Sequence, residues 1–294
     1  MSTVILCFED ELDAANRLGK ALDTQVHLIK RHRFPDGELK LTLPTPITEK
    51  VLVYRSLVHP NEKLVELLLV AKASRQLGAK DLTLISPYLA YMRQDIAFNE
   101  GEVVSQKIVG AFLASLFNSV VTIDPHLHRI SKLEEAIAVE RPIALSGAPL
   151  LGDFIANKIP NAYLIGPDEE SKQWVEQAAI AHSLDFAICK KIRHGDKDVD
   201  IKLPVTVFRD RNVVLLDDVA SSGQTLAKAA KLILDEGAKS VDVAVTHALF
   251  AGDAIAAIKL AGVRNIWSTD CIAHESNVID IAPILAEAIL QNVC

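Results

Sequence analysis

Val213-Val214-Leu215-Leu216-Asp217-Asp218-Val219-Ala220-Ser221-Ser222-Gly223-Gln224-Thr225-Leu226 decides how this chain is read. Four apolar residues, Val213 to Leu216, predict a buried parallel strand, and two carboxylates follow at its end. A short Ser/Gly/Thr loop then opens onto a helical pattern through Ala227, Ala230, Leu232 and Ile233. Backbone N–H groups and hydroxyls at a helix start make a good seat for a phosphate. The Asp pair beside them can hold ribose hydroxyls or a metal ion. The order predicts one site that grips both ends of a sugar phosphate, at the C-terminal end of a strand, where α/β folds put function.

Outward from this stretch, strand and helix patterns alternate. Val4–Phe8, Val26–Ile29, Leu39–Leu43, Val51–Tyr54, Leu82–Ile85 and Val120–Ile123 read as strands. Leu64–Leu77 and Val104–Phe117 read as helices, with Gly78 as the stop signal of the first. The second half repeats the scheme. Strands are predicted at Ala162–Ile165, Phe186–Cys189, Val241–Val245 and Asn265–Trp267, and helices at Lys172–His182, Leu226–Leu234 and Ala254–Leu260. Such alternation predicts parallel sheets covered by helices. Gly78-Ala79-Lys80 recurs as Gly237-Ala238-Lys239, each followed by a strand, which predicts two similarly folded halves. The loop after Val51–Tyr54, Arg55 to Pro60, has neither the Asp pair nor a glycine, so only one half is expected to keep a sugar-phosphate loop. The boundary is expected at the turn-like Ser146-Gly147-Ala148-Pro149, giving domains 1–145 and 146–278. An apolar helix at Ala282–Leu290, within segment 279–294, is expected to pack back on the first domain.

The 294 residues suit two domains of ordinary size, and a 50% hydrophobic content can fill their cores. A net charge of −7 argues against general binding to nucleic acid or anionic membranes. Cys7, Cys189, Cys271 and Cys294 lack the spacing of metal sites and read as lone thiols of a reducing compartment. The start, MSTVILCFED, has no basic region and reads as a first strand, and no apolar run is long enough to span a bilayer. A cytoplasmic protein is expected.

Further segments carry chemistry. In Arg33-Phe34-Pro35-Asp36-Gly37-Glu38, Phe34 can stack on a nucleobase, and Asp36 or Glu38 can accept from an exocyclic amine. Arg93-Gln94-Asp95 sits in the loop after strand Leu82–Ile85, where a guanidinium suits phosphate. Asp124-Pro125-His126-Leu127-His128-Arg129 follows strand Val120–Ile123 and can meet a metal or a phosphate.

The Asp-Asp loop resembles the 5-phosphoribosyl diphosphate (PRPP) motif of type I phosphoribosyltransferases and PRPP synthases. Taken in order, these segments, with Gly166-Pro167-Asp168, Lys191-Ile192-Arg193 and Gly101-Glu102-Val103-Val104-Ser105, resemble the ribose-phosphate diphosphokinase (PRPP synthase) family over nearly the whole chain. Glu169-Glu170-Ser171, Ile96, Ser221 and Gln224 depart from its main class and look closer to divergent archaeal-type members.

The resemblance implies two similar type I phosphoribosyltransferase-like domains, each a mostly parallel sheet flanked by helices, with the N-terminal domain on the nucleotide side. It implies transfer of the diphosphoryl group of ATP to the anomeric hydroxyl of ribose 5-phosphate, with Mg²⁺ as cofactor and PRPP and AMP as products. Phe34, Asp36 and Glu38 would contact adenine, usually from a neighbouring subunit of a homo-oligomer, and Arg93, Gln94 and Asp95 the rest of the nucleotide. His126 would sit by the phosphates and their metal, and Asp168 would help place that metal or the ribose. Asp217 and Asp218 would hold ribose hydroxyls, while Ser221, Ser222, Gly223, Gln224 and Thr225 cradle the 5-phosphate. Lys191 and Arg193 would be brought onto the phosphates by a mobile loop. A phosphoribosyltransferase would share the Asp-Asp loop without the Phe34–Glu38 and Arg93–Asp95 segments. A non-catalytic relative would have no need of Lys191, Arg193, His126, Asp217 and Asp218.

Overall fold

A computed structural model describes residues 3–127, 129–193 and 199–293, apart from the side chains of Ile192, Arg193 and Val199. The chain divides into two units, Met1–Leu145 with Ile281–Cys294, and Ser146–Asp280.

The first unit begins with β1 (Thr3–Cys7), a short turn at Glu9–Glu11, α1 (Leu12–Leu22) and β2 (Gln25–Leu28). A hairpin follows, β3 (Lys30–Arg33) with β4 (Leu39–Thr42). Then come β5 (Lys50–Tyr54), α2 (Pro60–Gln76), β6 (Asp81–Ile85), α3 (Ser105–Ala114), β7 (Ser119–Ile123), α4 (Leu133–Ala136) and β8 (Arg141–Leu145). Six strands form one parallel sheet in the order β2-β1-β5-β6-β7-β8. Its central strands are buried on both faces, which is why they read as mostly apolar runs, with Thr83, Ser119 and Thr122 the buried polar exceptions in β6 and β7.

The second unit contains α5 (Ala148–Lys158), β9 (Tyr163–Gly166), α6 (Lys172–Ile180) and β10 (Phe186–Ile188). Its hairpin is β11 (Lys190–Arg193) with β12 (Val199–Lys202). The rest is β13 (Asn212–Ala220), α7 (Gln224–Asp235), β14 (Ser240–Ala248), α8 (Ala254–Leu260), β15 (Ile266–Thr269) and β16 (Asn277–Ile279). Its parallel sheet runs β10-β9-β13-β14-β15-β16. The chain then returns to the first unit as α9 (Ala282–Asn292), which packs on α1 and β8. Lys50 Nζ donates to the Val293 carbonyl at 3.3 Å and ties this end to β5.

The two sheets share one topology: the second strand in sequence takes the edge, an antiparallel hairpin follows it, and the third strand lies on the far side of the first. The order makes β5 the counterpart of β13, and the β3–β4 hairpin the counterpart of β11–β12. Each fully buried Val, Leu or Ile in these sheets contributes about 1.5–3 kcal/mol relative to exposure.

Three local readings need correction. The strand expected to end at Leu216 continues through Asp217 and Asp218 to Ala220, because Val219 and Ala220 pair with His247 and Ala248 of β14. The basic loop Lys191-Ile192-Arg193 is strand β11, paired with β12, and its connection at residues 194–198 lies outside the described residues. Helices α1 and α5, absent from the sequence reading, flank the two sheets.

Candidate active site

In the second unit, the site is built at the C-terminal ends of β9 and β13. Gly166 closes β9; a Cβ there would stand 2.3 Å from Ser171 Oγ, so a side chain would push away the turn that follows. That turn is fastened by Asp168. Its Oδ1 accepts from the N–H groups of Glu170 and Ser171 at 3.1 and 3.3 Å, and its carbonyl from Ser171 Oγ at 2.6 Å. Asp168 Oδ2 is left to meet Lys191 Nζ of the hairpin at 3.4 Å.

Asp217 on β13 accepts from the Asp218 N–H at 3.0 Å. Burial pushes the Asp217 carboxyl well above the usual carboxylate range, and the negative charges of Asp218 and Asp168 push the same way. The adjacent Asp217 and Asp218, with the charge of Asp168 felt at Asp217 and Lys191 paired to Asp168, make a local field that favours arrival of positive charge.

Beyond Ala220 the loop is held by β14's continuation, as the N–H groups of Phe250 and Ala251 donate to the carbonyls of Ala220 and Ser221 at 2.8 and 2.9 Å. Gly223, at φ +70°, is the N-cap of α7. It has no side chain to cap the helix, and the first turn carries no acid. The N–H groups of the first turn, from Gln224 onward, have no intrahelical acceptor, as at any helix start, and stay available to an anion. Ser221 and Thr225 are half-buried and Ser222 and Gln224 exposed around them.

The first unit carries the other expected residues. Phe34, 40% exposed, lies at the tip of the β3–β4 hairpin, edge-on to His32 with ring centroids 4.9 Å apart. Asp36 Oδ1 accepts from the Glu38 N–H at 3.1 Å, and Gly37, at φ +94°, closes the turn. Arg93 is exposed on the loop after β6. Gln94 donates to the Ile96 carbonyl at 2.9 Å. Asp95 is 6% exposed and takes Arg129 Nη1 at 2.5 Å, so its pairing is with Arg129. Arg129 in turn lies over the Phe98 ring at 5.4 Å. It stood in a quoted segment with no role assigned, and only the fold reveals the link. Glu102 organises the same loop, accepting from the N–H of Phe98 at 2.8 Å and from Asn99 at 2.5 Å, and these bonds hold its carboxyl below the usual range. His126, half-buried, follows β7 just after Asp124, whose φ of +38° strains the backbone there. His128 and the side chain of Arg193 lie outside the described residues.

The loop after β5, counterpart of the Ser221–Gln224 loop, is filled from within. The Ser56 N–H donates to Glu11 Oε1 at 2.7 Å, Arg55 Nη1 reaches Glu11 Oε2 at 3.0 Å, and Lys63 Nζ lies 3.7 Å away. A carboxylate of the chain itself thus bonds the backbone of this loop. No group of three or more His, Cys, Asp or Glu able to hold a metal occurs among the described residues. No described helix is long and apolar enough to cross a membrane.

This fold defines a protein of the phosphoribosyltransferase-like α/β class, duplicated, in which one half carries an Asp-Asp strand end before an uncapped helix start. The family profile of the N-terminal domain of ribose phosphate pyrophosphokinase matches residues 3–116, and that of the phosphoribosyl transferase domain matches residues 144–264. The chain is 30% identical to a ribose-phosphate pyrophosphokinase of Methanopyrus kandleri, over 97% of this chain and 98% of that one. It is 32% identical to ribose-phosphate pyrophosphokinase 2 of Archaeoglobus fulgidus, over 94% and 96% of the two chains. Its fold matches the crystal structure of phosphoribosylpyrophosphate synthetase from Mycobacterium smegmatis with a TM-score of 0.83, at 21% identity and over 99% and 98% of the chains. The chain belongs to the ribose-phosphate pyrophosphokinase family, and these two named relatives are archaeal.

Proposed function

We propose that the chain transfers the β,γ-diphosphoryl group of ATP to the anomeric hydroxyl of ribose 5-phosphate, giving PRPP and AMP. The observation that carries this reading is the assembly in the second unit of Asp217, Asp218, Asp168 and Lys191 beside a helix start with no side-chain cap.

The 5-phosphate sits on the first-turn N–H groups of α7 with Ser221, Ser222 and Thr225, and Asp217 and Asp218 accept from the ribose hydroxyls. Binding the sugar by both ends fixes the anomeric oxygen in place as the nucleophile. Such transfers gain most from positioning and from cancelling charge on the phosphate oxygens, so no covalent enzyme intermediate is required. Lys191 and Arg193 supply fixed positive charge to the phosphates as the leaving AMP separates. Arg93 and Gln94 hold the nucleotide, Asp95 acts on it through Arg129, and Phe34, Asp36 and Glu38 take the adenine. His126 donates to the transferred phosphates.

The donor set fits Mg²⁺, a hard cation usually held by one or two carboxylates plus substrate phosphates rather than by an all-protein cage. Asp168 would hold it, and the bound ion would neutralise charge on the phosphates. The substrates fit a cytoplasmic enzyme, and the exposed adenine hairpin fits a homo-oligomer, dimer or higher, with a shared nucleotide site.

The test is an assay with ATP, Mg²⁺ and ribose 5-phosphate that follows AMP and PRPP by chromatography. Lys191→Ala should lower kcat by about 10²-fold or more while leaving the KM for ATP within a few fold. Turnover within about twofold of wild type would remove Lys191 from the mechanism. Pyrophosphate release from PRPP and a base would instead identify a phosphoribosyltransferase.

A further inference from the structure

Glu66 of α2 is completely buried, and the proposed reaction gives it no direct role. Its Oε1 accepts from Arg31 Nη1 at 2.5 Å, and its Oε2 from Arg55 Nη2. Arg31 belongs to β3, three residues before Phe34. Arg55 is 1% exposed and is itself held by Asp10 Oδ2 at 2.7 Å and by Glu11. The Phe8 ring lies under both guanidinium groups, at 4.5 Å from Arg55 and 5.4 Å from Arg31. Along the same helix, Glu62 takes Arg33 of the hairpin, and Asn61 accepts from Tyr91 Oη on the loop that carries Arg93.

A buried ion pair is costly to desolvate and is weak grounds for stability, while a fixed charge pair is well suited to setting the register of one element against another. Within the hairpin, apolar anchorage comes from β4, whose Leu41 packs on the core, whereas every residue of β3 from Lys30 to Arg33 is exposed, so β3 is held to α2 by its charged side chains. We infer that Glu66 is a positioning residue for the nucleotide: through Arg31, and braced by Arg55, it fixes the angle at which the β3–β4 hairpin presents Phe34, Asp36 and Glu38. This rests on the reading of that hairpin as the adenine contact.

Arg31→Met and Glu66→Gln, made in the full chain, test it by steady-state kinetics and by amide hydrogen exchange over residues 31–38. Both should raise the KM for ATP roughly tenfold, leave the KM for ribose 5-phosphate within about twofold and speed exchange in the hairpin. Arg31→Lys, which keeps a cation for Glu66, should recover most of the loss. A KM for ATP within twofold of wild type in Arg31→Met overturns the inference. So does a rise in Arg31→Met without one in a folded Glu66→Gln, since Arg31 would then act on the ligand directly. If Glu66→Gln does not fold, the exchange data and the Met/Lys pair at Arg31 decide alone: unchanged exchange in Arg31→Met overturns it. Phe34→Ala separates the two claims. If it raises the KM for ATP and Arg31→Met does not, only the positioning role fails; if it does not, the hairpin reading fails and the inference with it.

Discussion

Replacing Gly223 by alanine tests the phosphate seat and the backbone that makes it in one experiment. Gly223 sits at φ +70°. An L-residue in that left-handed region costs about 1–2 kcal/mol. The new Cβ would also stand 3.1 Å from the Ala254 carbonyl oxygen and 3.0 Å from Ile258 Cδ1. The Ile258 methyl can turn aside, whereas the Ala254 carbonyl belongs to the start of α8 and must move with it, which adds on the order of 1 kcal/mol. A total of about 2–3 kcal/mol predicts a fall in Tm on the order of 5–10 °C for the transition of a unit this size. The same shift tilts the first turn of α7. Loss of one charge-assisted hydrogen bond to phosphate, about 1.5–3 kcal/mol, raises the KM for ribose 5-phosphate roughly 10- to 100-fold. Thermal unfolding and steady-state kinetics read the two effects separately. A lowered Tm with an unchanged KM for ribose 5-phosphate would refute the loop as the phosphate site, and an unchanged Tm would refute the strain argument.

Asp217→Asn should weaken ribose 5-phosphate roughly tenfold, by loss of one acceptor from a charged group, while stabilising the ligand-free protein. Because the folded carboxyl is raised, its contribution to stability is complete below the unfolded value, near pH 4, and is lost as pH rises through the folded value. The Tm advantage of Asn must therefore grow from pH 4 to pH 8, and an advantage that shrinks over that range would contradict the crowding of Asp168, Asp217 and Asp218. Burial pushes the Cys189 thiol up to about 12, assisted by Asp168, and the Cys7 thiol also up to about 12. Iodoacetamide at pH 8, read by peptide mass mapping, should spare both until the chain unfolds, since thiolate is only on the order of 10⁻⁴ of either. Labelling of Cys189 at the rate seen in denaturant would refute its burial.

Much of this architecture was legible because parallel strands buried on both faces announce themselves. Val51–Tyr54 and Val213–Leu216 are unbroken apolar runs, Leu82–Ile85 is broken only by the buried Thr83, and each proved to be part of a central strand. Of the first hairpin only β4 was legible, as the strand expected at Leu39–Leu43. Lys30-Arg31-His32-Arg33 is polar throughout and pairs only by its backbone, so no hydrophobic period exists to betray a strand. Lys191-Ile192-Arg193, with a single apolar residue between two cations, likewise gives no hydrophobic period and reads as a basic loop. The end of β13 was misjudged because two carboxylates look like a boundary, while the pairing of Val219 with His247 that carries the strand onward depends on a partner far along the chain. Of the site, the residues clustered in short segments could be found. Arg129 beside Asp95 and the network of Glu11, Arg55 and Glu66 could not, since each joins residues that are neighbours only after folding.

The carboxylate of Glu11 has one consequence for the duplicated molecule as a whole. In one half the loop after β5 is bonded to a carboxylate of its own chain, and on the proposed reading the loop after β13 takes its anion from solution. Ligand that binds only the native state adds to stability in proportion to the logarithm of its concentration, so the resistance of the two halves to heat answers to different things. If the Gly223 loop is the sugar-phosphate seat, added ribose 5-phosphate raises the heat resistance of that half and leaves the half with Glu11 unchanged.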